Sequence, residues 1–372
     1  MTKAAELAKM GEVLTNSQIG GRRNIVYNRA MQVAQRATQV TGISASGYQT
    51  VDRFALQIAG RDQAVFTLDQ ASDAPSGFTK SLKITTTTAE SAIDADDLFW
   101  IEQRFEGQDV IPLKNGLSDA EKVTLSFYVK SSITGTFGLN LYKPENTARV
   151  INSTYTISSA DTWEFKTVTF DGDTSGGGTN NDNTEGFRVG FMLASGSTYD
   201  STNSTSWANY ITSNWAGGHA QDGVVTTTNA TWQLTGVQLE VGEQATPFEH
   251  RSFGEELALC ERYFVECFSG DSNYESAGSG WAYVNGVAIY RPLRVQMRAK
   301  PTLSKSASGT IHVSDDVNSS TNCSIIITNT SVTSRQIMYM ECSATGVTTY
   351  RAYHVRANGT TTNASIQLDA EL

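Results

Sequence analysis

Four aromatic residues, Tyr199, Trp207, Tyr210 and Trp215, fall within one stretch otherwise dominated by Ser, Thr and Asn. Flat rings stack on the C–H faces of sugars while amides and carboxylates bind their hydroxyls, so this composition suits a glycan. The same rings would equally pin a long loop onto a β-sandwich. Tyr274 and Trp281 form a second aromatic candidate farther along the chain. Asp171-Gly172-Asp173 and the run Asn180 to Glu185 offer many oxygens, but without EF-hand spacing they read as turn chemistry, and no metal is expected. Asp94, Asp96 and Asp97 form an acidic cluster. Two carboxylates can cleave a glycosidic bond, yet a cluster in a polar loop reads as a solvated turn. His219, His250, His312 and His354 stand singly, and neither a nucleophile elbow nor a Gly-rich phosphate loop occurs. No catalytic residue, cofactor or enzymatic activity is expected.

The elements that would carry these residues are mostly strands. Val123, Leu125, Phe127 and Val129 alternate with polar residues, as do Phe137 to Leu141, Phe187 to Leu193 and Val237 to Val241. Trp163 to Phe170 adds another strand rich in aromatic and β-branched residues. Such alternation marks antiparallel sheets with one face buried and one wet, and predicts a jelly-roll-like β-sandwich over residues 24–250. Ahead of it, Leu7, Met10 and Leu14 make one apolar helical stripe, followed by a break at Gly20-Gly21 and the basic pair Arg22-Arg23. Residues 1–23 are therefore expected to be an attachment helix and hinge, a helix too short to persist in water alone. Ser252 and Glu255 fit a capping box opening a short connecting helix within 251–267. From 268 to 372 the period of two returns, with a hairpin signal at Asn285-Gly286, and predicts a second, smaller C-terminal β-sandwich.

Composition narrows the partners. The chain has 372 residues and a net charge of −10, and its 28 Lys and Arg are dispersed among 38 acids, which argues against nucleic acid. No apolar run is long enough to span a membrane. No apolar stretch follows Met1, so synthesis in the cytoplasm without a signal peptide is expected. Cys260, Cys267, Cys323 and Cys342 lack metal spacing and read as buried or free thiols.

The run Asn24 to Arg36, and the run Thr235 to His250 with Arg251 to Phe264 after it, resemble bacteriophage structural proteins. They are similar to tail-fibre or receptor-binding proteins of marine phages, including those of cyanobacteria and other abundant ocean bacteria. The opening Ala5 to Asn24 is similar to the same group, so the resemblance spans roughly residues 4 to 264. Pro292 to Pro301 also resembles a segment of phage tail-tip domains. The resemblance implies a virion protein with a carbohydrate-binding-module-like jelly roll, assembled as a homotrimer. Similar phage proteins share a Trp near position 207, which a structural role explains equally well. No catalytic motif comes with the family.

The expectation is a phage tail fibre or fibre tip that recognises a host-surface glycan. Leu7, Met10, Leu14, Arg22 and Arg23 would serve trimerisation and attachment to other virion proteins of the tail or baseplate. Tyr199, Trp207, Tyr210, Trp215, Tyr274 and Trp281 would face the glycan. The alternatives are a capsid- or tail-decorating protein that binds other virion proteins, and a glycan-depolymerising tailspike.

Overall fold

A computed structural model describes residue 3 and residues 23–268, 276–284, 286–305, 311–315, 321–322, 325–327, 333–344, 346–357 and 365–372. The expected N-terminal helix therefore lies outside the described residues, apart from Lys3, which is helical. The chain divides into two compact units, Met1–Glu256 with Leu372, and Leu257–Glu371.

The first unit is an antiparallel β-sandwich of jelly-roll type. One sheet has six strands in the order β1 (Gln39–Ile43), β4 (Val65–Ala71), β5 (Ser81–Thr88), β13 (Thr231–Val241), β7 (Val123–Ser131) and β10 (Glu164–Phe170). The other has seven, in the order β12 (Ala208–Asn209), β9 (Arg149–Ile157), β8 (Gly135–Lys143), β11 (Glu185–Ser195), β6 (Leu98–Glu106), β3 (Ala55–Ala59) and β2 (Gly47–Tyr48). Alternation places every second side chain between the sheets. Phe127 of β7 meets Tyr155 of β9 and Phe191 of β11 edge-on at 5.1 and 5.2 Å, and Phe66 of β4 meets Phe99 of β6 at 5.8 Å. Two polar atoms of this layer satisfy each other: the Trp232 indole N–H donates to the Tyr155 hydroxyl at 3.0 Å. Burial pushes the Tyr155 phenol up, so it stays protonated.

One irregularity needs glycine. β13 bulges between Thr235 and Gln238, and Gly236 there has φ of 61°. A Cβ at this position would sit 2.7 Å from the Phe78 ring. Both the backbone angle and the space exclude a side chain.

The helix α1 (Phe253–Glu261) follows Ser252, whose hydroxyl accepts from the Glu255 N–H while the Glu255 carboxylate accepts from the Ser252 N–H. The capping box expected from the sequence is thus formed.

The second unit is also a sandwich. A three-stranded sheet, β14 (Phe264–Glu266), β23 (Ile366–Asp369) and β17 (Thr302–Lys305), contributes Val265, Ile366 and Leu368 to the core. A seven-stranded sheet runs β19 (Thr321–Asn322), β18 (Ile311–Ser314), β22 (Ala352–Ala357), β15 (Ser276–Tyr283), β16 (Gly286–Pro292), β21 (Ile337–Ser343) and β20 (Ile325–Ile327). It supplies Val287, Ile289, Met340 and Val355. The hairpin expected around Asn285-Gly286 pairs Tyr283 with Gly286, Asn285 itself lying outside the described residues. Cys260 and Cys267 are buried thiols, whereas Cys342 is disulfide-bonded, which corrects the expectation of four free or buried thiols.

Candidate functional site

Strand β6 shows how the site arises. Phe99, Ile101 and Phe105 enter the core, so Leu98, Trp100, Glu102 and Arg104 emerge on the opposite, outer face of the seven-stranded sheet. Register extends this face across four strands. Trp100 lies opposite Met192, Glu102 opposite Gly190, and Arg104 opposite Arg188; Gly190 and Arg188 in turn face Asn140 and Tyr142 of β8. Asn140 faces Asn152 of β9. Gly190 is required here, because a Cβ would come within 2.4 Å of the Asn140 carbonyl oxygen.

The segment from Tyr199 to Trp215 folds onto this face. Trp215, only 6% exposed, packs with Leu98, Met192 and Ala216, and Trp100, Tyr142, Tyr199 and Tyr210 surround it half-buried. Trp100, Tyr142 and Tyr210 meet the Trp215 ring edge-on, at centroid distances of 5.8, 5.1 and 5.7 Å. The result is a floor with three upright walls. Asn140 and Asn152 both donate to the Trp215 carbonyl, at 2.8 and 3.3 Å, which fixes that floor. Two polar atoms in it lack a hydrogen-bond partner among the described residues, the Trp215 indole N–H and the Asn140 carbonyl oxygen. Both atoms are closed off from solvent, and a buried polar group left unpaired costs about 1–3 kcal/mol.

A charge network lies beside the rings. Glu102, fully buried, accepts from Arg104 at 2.7 Å on one oxygen, and from the Trp100 indole N–H at 2.7 Å and Arg188 at 3.0 Å on the other. Arg188 also grips Glu185 at 2.8 and 3.0 Å, and its guanidinium lies 5.4 Å from both the Tyr142 and Trp215 ring centres. Burial works against the Arg104 cation, but Glu102 and Glu185 hold its pKa above the ordinary value. Burial pushes the Tyr142 phenol up, so its hydroxyl remains a donor near neutral pH.

Of the residues singled out in the sequence, Tyr199, Tyr210 and Trp215 come together here. Trp207 is placed differently: its indole N–H donates to the Asp171 carbonyl at 2.6 Å, its ring tilts against Phe187, and its own carbonyl accepts from Arg149. It pins the segment. Trp100 and Tyr142 were missed, although the phase of β6 carried a signal. A Trp followed at alternate positions by Glu102 and Arg104 marks the wet face.

In the second unit, Trp281 is 46% exposed and stacks on Tyr290, 40% exposed, at 5.5 Å; Tyr290 leans on Tyr339, whose hydroxyl donates to Glu341. Tyr274 lies outside the described residues, as do Leu7, Met10, Leu14 and Arg22. Arg23 is described and donates to the Thr246 hydroxyl at 3.1 Å, within its own unit.

The acidic and oxygen-rich stretches are structural. Asp94 and Asp96 are exposed, but Asp97 is buried and its carboxylate accepts from the Asp94 N–H, which corrects the expectation of a wholly solvated turn. Asp173 is buried against Lys143 at 3.5 Å and Arg149 at 2.8 Å, and the Lys143 ammonium donates to the Gly176 and Gly177 carbonyls. The oxygens of this loop thus surround a side-chain cation. Among the described residues no group of three or more His, Cys, Asp or Glu side chains is placed to hold a metal.

No protein-family model matches the sequence, and comparison with curated proteins gives no match. Among solved structures, the chain is similar to the enzymatically active domain of tailspike protein 4 of bacteriophage CBA120. Identity is 11% over 59% of this chain and 21% of that chain, with a TM-score of 0.30. A family 4 carbohydrate-binding module matches at 13% identity over 58% of this chain and 98% of that one, with a TM-score of 0.29. The family 11 module from Clostridium thermocellum, solved with a mixed-linked tetrasaccharide, matches at 9% identity over 56% and 99% of the two chains, with a TM-score of 0.28.

Proposed function

We propose that this is a non-enzymatic glycan-recognition protein whose first unit binds sugar on the outer face of the seven-stranded sheet. The observation that carries the reading is the group of half-buried rings, Trp100, Tyr142 and Tyr210, gathered on Trp215 at the outer face. Rings meet C–H faces, and the phenol hydroxyls of Tyr142 and Tyr210 can donate to and accept from sugar hydroxyls. Binding without cleavage fits the carboxylates present. Glu102 and Glu185 have their oxygens committed to arginine and Trp100 donors, so neither is arranged as an acid facing a substrate. Trp281 and Tyr290 offer a second exposed ring surface in the C-terminal unit.

The wider reading is a homotrimeric tail fibre or fibre tip on a phage particle, supported by the sequence resemblance of Asn24 to Arg36 and Thr235 to Phe264. A single aromatic site binds sugar weakly, and three copies on one particle would raise millimolar contacts to useful strength. The test combines two measurements on the full chain. Light scattering is expected to give three times 40.3 kDa. A glycan array probed with that trimer is expected to return hits that Trp100→Ala removes. A blank array would favour the decorating-protein alternative, and release of shortened glycan would favour the tailspike.

A further inference from the structure

We infer a second saccharide site in the first unit, a small cavity that takes a single neutral sugar ring. It is half-open, about 210 Å³ in volume, and lies between β9, the residues that close β10, and the 203–205 stretch. That volume is below the roughly 300–1,000 Å³ typical of drug-sized sites, so it suits one ring and not a chain. Phe170 and Ile151, both buried, supply the apolar part of the lining.

The rim is polar, and much of it is uncommitted. Thr154, Asn203 and Thr205 make no side-chain hydrogen bond within the described protein. Asp171 adds an exposed carboxylate, whose partner Lys122 sits 3.5 Å away and outside the lining. Asn152 holds the wall in place: buried itself, it accepts from the Ser204 N–H at 3.0 Å and donates to the Trp215 carbonyl at 3.3 Å.

These groups fit a polyhydroxylated ring. An amide offers a donor and an acceptor, each Thr hydroxyl offers both, and a carboxylate accepts from two neighbouring hydroxyls. No Lys, Arg or His lines the cavity, so a phosphate or uronate would find no cation there.

The experiment is saturation-transfer NMR on the full chain with the methyl glycosides of glucose, galactose, mannose and N-acetylglucosamine. Thr205→Trp fills the cavity and Asn203→Leu removes its amide, and each is made in a Trp100→Ala background that takes the outer face out of play. At least one glycoside is expected to bind the Trp100→Ala chain, weakened tenfold or more when either Thr205→Trp or Asn203→Leu is added. Thermal melting checks that each variant is folded, and the two cavity variants alter the lining differently. Binding absent from the folded Trp100→Ala chain, or unchanged there by both cavity substitutions, would overturn the proposal. Binding of none of the four glycosides would overturn it as well.

Discussion

Glu102→Gln keeps the shape of the side chain but turns one acceptor oxygen into a donor. In the native unit one carboxylate oxygen takes Arg104 and the other takes Trp100 and Arg188. Whichever way the new amide turns, its NH2 faces N–H donors. Breaking one side of a buried ion pair costs about 3–5 kcal/mol. The Arg104 and Arg188 side chains retain 23% and 14% exposure, so water recovers part of the loss and about 3 kcal/mol is expected. For a domain of this size that lowers Tm by about 6–12 °C. With a slope of about 3 kcal/mol per molar, it moves the urea midpoint by about 1 M. Tryptophan emission follows the first unit, which holds every Trp except Trp281. A shift under about 0.3 M, worth less than about 1 kcal/mol, would refute the argument that this network is held together through Glu102.

Lys143→Met should destabilise the first unit by about 3 kcal/mol in the same urea assay, because it leaves the buried Asp173 carboxylate without the ammonium beside it. Trp207→Phe should cost about 1 kcal/mol through loss of the bond to the Asp171 carbonyl, while glycan affinity changes less than threefold in calorimetry. Burial opposes ionisation of Glu249, but the Asn24 N–H and Arg29 outweigh it and hold its pKa below the ordinary 4.5. Because the folded value is depressed, its stabilisation is full above 4.5 and is lost as pH falls through the lower folded value. Melting followed from pH 7 to pH 3 should therefore fall less steeply in Glu249→Gln than in the native chain.

The strands were legible because their residues alternate cleanly. Val123 to Val129, Phe137 to Leu141 and Phe187 to Leu193 each place one apolar row on one face, and β7, β8 and β11 contain them. α1 was legible for a local reason, since Ser252 and Glu255 satisfy each other within one turn. The site was only half legible. Tyr199, Tyr210 and Trp215 stand in one stretch, but their partners Trp100 and Tyr142 lie far away in sequence and meet them only through strand register. Leu98, Phe99, Trp100 and Ile101 are all apolar, so only Glu102 and Arg104 farther along the strand tell which of them faces the core. Trp207 shows the converse. By composition it belongs with Trp215, and only its bond to the Asp171 carbonyl sets it apart.

The most direct test of the outer-face site is calorimetric titration of the full chain with a glycan taken from the array. The same titration is run on Trp100→Ala and Tyr142→Ala, with circular dichroism confirming the fold. Each variant removes a wall from the Trp215 floor, and loss of one stacking ring is expected to weaken binding at least tenfold, about 1.4 kcal/mol. Binding unchanged in both folded variants would contradict the account.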